Sequence, residues 1–117
     1  MSLAQSFDPN LSPFPDRAER ALLGALMTLA TAAECPETLR PDDFGSEQHR
    51  RIYRAMLDLE ADESSIDLVT VWNALGRRED TYLASLLDAV PDCDAVKDYA
   101  RIVMDNAARR RRQKWAK

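Results

Sequence analysis

The side chains in this 117-residue sequence best suited to acid–base, nucleophilic or metal chemistry are His49, Cys35, Cys93 and the adjacent carboxylates Asp42 and Asp43. Catalysis needs such groups to converge, and their spacing argues against it. His49 is the one histidine and stands beside Arg50 and Arg51 on what reads as the polar flank of a helix, the setting of a surface or capping histidine rather than a general base. The two cysteines lie far apart and form no C-x-x-C pair. With one histidine they cannot complete a four-ligand zinc site without distant carboxylates, so they read as free, buried or half-buried thiols of a reducing cytoplasm. Asp42 and Asp43 precede Phe44 and read as loop-capping or solvated acids. They would make half a metal site at most, with no partner motif. There is no glycine-rich phosphate loop, no GKS or GKT, and no serine in a nucleophile elbow. The reading is a chain without catalytic residues, metal or cofactor, which neither binds nor hydrolyses nucleotide.

The two tryptophans separate. Trp72 alternates with apolar positions and reads as core. Trp115 lies among Arg112, Lys114 and Lys117, where basic residues interleaved with an aromatic can stack on and neutralise nucleic acid. The competing reading makes it an apolar contact on a projecting helix, covered when a partner or second subunit arrives, and is favoured because a helix too long for its core usually has something to pack on. Charge agrees. The last nine residues carry six basic groups and no acid, and removing those six from the 16 leaves 10 basic against 20 acidic residues, so a −10 body precedes a +6 tail. A body of that sign repels phosphate backbones, which makes nucleic acid an unfavourable partner except through the tail.

The elements that must position these residues are helices. Glycine occurs three times, β-branched residues are sparse, and alanine, leucine, glutamate and arginine dominate. Residues 1–15 hold Pro9, Pro13 and Pro15 and read as an extended or disordered lead-in. A first helix is expected from Asp16, with Asp16 and Glu19 at capping-box spacing, a stripe of Ala18, Leu22, Leu26 and Leu29, and an end near Ala33. Arg40–Gly45 reads as a loop anchored by Phe44. Ser46 opens a second helix with Ile52, Ala55, Met56 and Leu59 on one face, and with Glu47–Arg51 and Arg54–Asp58 placed as i,i+4 pairs. Asp67 caps a short third helix, Ile66 and Val71 have hydrophobic-staple spacing, and Gly76 supplies the left-handed stop. Leu83, Leu86, Leu87 and Val90 form a fourth stripe closed by Pro91. A last helix starts near Asp92–Asp94, turns Val96, Tyr99, Ala100 and Val103 to the core, and is unbroken to Lys117. Its 24 residues from Asp94 would span about 36 Å. Its apolar stripe thins after Met104, so the end is expected to project into solvent. The fold class is therefore all-α: one small domain at 16–104, ending in a long, partly projecting helix whose basic extension covers 105–117. No stretch is long and apolar enough for a bilayer and no signal pattern opens the chain, so a cytoplasmic location is expected.

Six segments occur in one linear series: AERALLGALM (18–27), LRPDDF (39–44), HRRIYRAMLDL (49–59), IDLVTVWNAL (66–75), YLASLLDAVP (82–91) and VKDYARIVMDNAARRR (96–111). Each alone is mostly helix stripe, but six in order with matching spacers are specific. The series resembles the N-terminal domain of DnaB-type replicative helicases over nearly the whole chain after residue 15. The resemblance implies an accessory domain of DNA replication and no motor. In this family such domains form a collar on a hexameric ring, pair through a helical hairpin as a trimer of dimers, and dock primase or a helicase loader. A RecA-like ATPase follows in the family after a linker. Two departures bear on the transfer: the link between Leu75 and Tyr82 is short and lacks the family's common glycine pair, and the chain stops in the first arm of the hairpin. Self-association through the last helix is therefore expected to be weak here. The expected working surface is Met104, Asn106, Arg109, Arg110 and Trp115. The rival readings are a stand-alone adaptor imitating the collar and a nucleic-acid binder acting through the tail.

Overall fold

A computed structural model describes residues 14–88 and 92–115, with the side chains of residues 16–88 and 92–113. All its regular elements are helical. Helix α1 (Phe14–Leu29) begins two residues before the expected Asp16, because Pro15 in a first turn sacrifices no helical hydrogen bond. Asp16 is thereby a first-turn residue and not the cap. The helix also stops four residues short of Ala33: Ala30 turns left-handed at φ 65°. The Glu60 carboxylate then holds the chain beyond, accepting from the Ala32 amide at 2.8 Å and the Thr31 hydroxyl at 3.1 Å.

A single 3-10 turn (Pro41–Asp43) leads to α2 (Glu47–Ala61), which Ser46 caps as its sequence suggests. The expected i,i+4 ion pairs do not form on α2. Glu47 meets Arg50, while Arg51 and Arg54 reach out of the helix to Glu79 and Asp42, since those acids stand within reach once the loops have folded back. Helix α3 (Leu68–Ala74) starts at Asp67, whose carboxylate accepts from the Thr70 amide while the Thr70 hydroxyl accepts from the Asp67 amide. Ile66 and Val71 are both fully buried, and Gly76 is left-handed at φ 77°. Helix α4 (Asp80–Asp88) buries Leu83 and Leu86; Val90 and Pro91 lie outside the described residues. A 3-10 turn (Cys93–Ala95) enters α5 (Val96–Trp115), a 20-residue helix of about 30 Å.

The core is one cluster. Leu22, Leu23, Leu26 from α1, Ile52, Tyr53, Met56 from α2, Val71 from α3, Leu83 and Leu86 from α4, and Val96, Ala100 and Val103 from α5 belong to it together with Phe44. Phe44 is fully buried, with its ring centroid 4.9 Å from that of Tyr53. Trp72 and Leu75 pack on this cluster only partly buried, because the short α3 lies at its edge. The inward stripe of α5 does not end at Met104: Ala107 is buried too, and Arg110 and Arg111 contact Asp43. Among the described residues no helix is long and apolar enough to cross a membrane.

Candidate functional site

His49 occupies the first turn of α2, where the Ser46 cap turns it inward. It is 1% exposed, so the expectation of a surface histidine is overturned. Its Nδ1 stands 2.6 Å from the Glu19 carboxylate of α1 and its Nε2 2.5 Å from the Tyr82 hydroxyl of α4. The second Glu19 oxygen accepts from the Gly45 amide at 2.7 Å. Glu19 is thus no capping-box residue; it is 2% exposed and, with His49, joins three helices and a loop. A neutral ring satisfies the whole network if Nδ1–H donates to Glu19 and Nε2 accepts from Tyr82.

A carboxylate–imidazole–hydroxyl row has the outline of a nucleophile and its base. The Tyr82 environment works the other way. Burial raises the pKa of its hydroxyl, with Arg20 as the opposing influence and Asp16, Glu19 and Glu79 adding to the rise. A raised pKa leaves less phenolate at neutral pH, and the row joins α1, α2 and α4 through buried polar contacts. Asp16, Glu19 and His49 also present ligand-type atoms within 4.8 Å of one another. Both imidazole nitrogens and both Glu19 oxygens already have protein partners, so a cation would have to displace them.

Cys35 and Cys93 are half-buried free thiols. Burial pushes the Cys35 thiol up, which leaves little reactive thiolate at neutral pH. Asp42 is exposed, whereas Asp43 is 4% exposed and accepts from the Arg40 amide at 3.0 Å.

The five expected interface residues do not share one face of α5. Helical phase puts Ile102, Asn106 and Arg109 on the outer side at spacings of four and three, while Val103, Ala107 and Arg110 follow the inner one. Arg109 is exposed, Asn106 is half-buried, and Met104 is half-buried with its sulfur 3.4 Å from the Thr38 hydroxyl. Arg110 faces the body and donates to the Asp43 carbonyl at 2.7 Å. The Trp115 side chain lies outside the described residues. Ile102, 42% exposed, was missed by the sequence reading, although an isoleucine off the inward stripe of a long helix is a visible signal. A second apolar exposure stands on α3, where Val69 is 66% exposed. It borders a depression of about 490 Å³ lined in part by Leu59, Trp72, Ala74 and Arg77. The Arg77 guanidinium stands 5.8 Å from the centroid of the Trp72 ring.

Among the described residues, five α-helices held together by buried polar pairs, the last of them long and exposed on its outer face, define a small helical domain. The chain belongs to the family of the DnaB-like helicase N-terminal domain, whose model matches residues 12–105. It is 37% identical to the replicative DNA helicase DnaB of Geobacillus stearothermophilus over 93% of this chain and 26% of that protein. It therefore spans about a quarter of that relative's length. Its structure is similar to the crystal structure of the N-terminal domain of DnaB helicase from Mycobacterium tuberculosis, with a TM-score of 0.75 at 35% identity over 80% of this chain and 73% of that one. A second similar structure is that of a DnaB-like replicative helicase and its interactions with primase, with a TM-score of 0.75 at 27% identity over 86% of this chain and 25% of that one.

Proposed function

We propose that this chain serves a replicative DNA helicase as its non-catalytic N-terminal domain, acting in ring assembly, collar formation and the docking of primase or a loader. The observation that carries the reading is the combination of family membership over residues 12–105 with a long α5 whose outer face stays uncovered. That surface is centred on Ile102, Asn106 and Arg109; Met104 lies on another side of the helix, beside Thr38, and the Trp115 side chain lies outside the described residues. Arg110 supports the surface from behind. The nucleic-acid alternative loses ground because two arginines of the basic tail are engaged with Asp43 and the body is acidic. The test is a titration of the chain with primase from the same cell, followed by calorimetry. Saturable binding that weakens about tenfold or more in Ile102→Glu and Asn106→Asp supports the reading, a loss of about 1.4 kcal/mol. Binding that neither substitution changes places the contact elsewhere on the domain, and no binding with either primase or loader removes the docking role.

A further inference from the structure

The hold of the body on α5 changes character along the helix. Val96, Ala100 and Val103 are buried and Met104 packs half-buried beside Thr38; beyond Met104 the buried apolar side chain is the methyl of Ala107. So small an apolar group contributes little to fixing a helix. At that point a polar contact takes over. Arg110 donates to the Asp43 carbonyl at 2.7 Å, and Arg111 pairs with the Asp43 carboxylate.

The anchor itself is rigid. The Asp43 carboxylate also accepts from the Arg40 amide, Phe44 is fully buried, and the Phe44 carbonyl accepts from Arg50 Nε at 2.9 Å. The Gly45 amide is bound by Glu19 at 2.7 Å. A Cβ on Gly45 would come within 3.3 Å of both the Arg110 guanidinium and the Glu19 carboxylate, so both groups stand close against the loop. The loop is thereby fastened to α1 and α2 and offers α5 a fixed base.

The geometry points to Asp43 as a positioning residue: its carbonyl and carboxylate, through Arg110 and Arg111, set the course on which α5 leaves the body. Its meaning for assembly rests on the function proposed above, because a helix that carries an interface must leave the domain at a defined angle. A flexible end would lose affinity to the entropy of ordering it.

The test uses the isolated chain and no partner, so failure to bind primase leaves its outcome unaffected. Amide exchange and residual dipolar couplings are measured by NMR for the parent, for Asp43→Asn, for the double variant Arg110→Gln/Arg111→Gln, and for Arg109→Gln as a control on the outer face. In the parent, the couplings of 107–113 should fit the same alignment as the body. In both latch variants that fit should be lost, and exchange over 107–113 should quicken by about tenfold or more. Amides of 22–26 and 52–56 should stay within about twofold of the parent. Arg109→Gln should change neither. Raising salt to about 0.5 M should loosen the parent in the same segment, because Arg111 is partly exposed and its pairing is screened. Parent couplings over 107–113 that do not fit the body, or latch variants as ordered as the parent, overturn the proposal. If Asp43→Asn loosens the whole domain, the arginine variant decides, since neither arginine belongs to the core.

Discussion

At the scale of single residues, two polar groups carry more than their types suggest. Glu19 and His49 are buried at the junction of α1, α2 and α4, and each has its partners within 2.7 Å. Removing one partner of such a pair leaves the other desolvated. Glu19→Ala should therefore cost about 3 kcal/mol in chemical denaturation, and a loss below about 1 kcal/mol would mean the pair is dispensable. Tyr53 offers a pH signature. It is buried, and desolvation, reinforced by Cys35 and then Asp43, drives its pKa well above the usual tyrosine range. The unfolded chain thus releases the phenolic proton first, and the contribution is full below about pH 10 and lost as pH rises further. Tyr82, raised for the same leading reason, acts in the same direction. Tyr53→Phe should flatten the alkaline fall in stability followed by thermal denaturation from pH 8 to 11. An unchanged slope would remove Tyr53 from the account.

At the scale of elements, most starts and stops were legible because they depend on neighbours in sequence. Ser46, Asp67 and Gly76 act through side chains or backbone angles within a few residues, and the structure has each where its type suggests. The start of α1 was misread because Asp16 and Glu19 fit a capping box equally well as a first turn followed by a buried acid. A signal was present. Glu19 heads the run Glu19, Leu22, Leu23, Leu26, and His49 heads the run His49, Ile52, Tyr53, Met56, both at offsets of three, four and seven. Each polar residue stands on the inward stripe of its own helix, so their burial can be read from phase while their pairing cannot. Burial also divides two leucines that the stripes treat alike. Leu86 is fully buried and Leu75 is not. Leu86→Ala should cost about 2–5 kcal/mol, whereas Leu75→Ala should cost less than half as much. Equal losses in urea titrations would contradict the edge position of α3.

At the scale of the whole molecule, the domain is 42 × 35 × 27 Å, and among the described residues its large exposed apolar side chains stand on α5 and α3. The exposed apolar side chains there, Ile102 and Val69, are separate and few. A copy laid against α5 alone is expected to bury less than the roughly 1,200 Å² that a stable pair needs. Sedimentation at tens of micromolar should show mainly monomer; a tight dimer would mean that this much of the last helix suffices for pairing. The sequence by itself determined the all-helical class, the caps of α2 and α3, most of the apolar stripes and the family, because propensity, capping and periodicity are local and survive without a fold. Only the tertiary structure decided that His49 is a buried link between Glu19 and Tyr82, and that Arg110 donates to the Asp43 carbonyl. Those pairings join residues 30 to 67 positions apart, and their distances are set by how the helices pack. No local pattern encodes a contact whose two halves meet only after the core has closed.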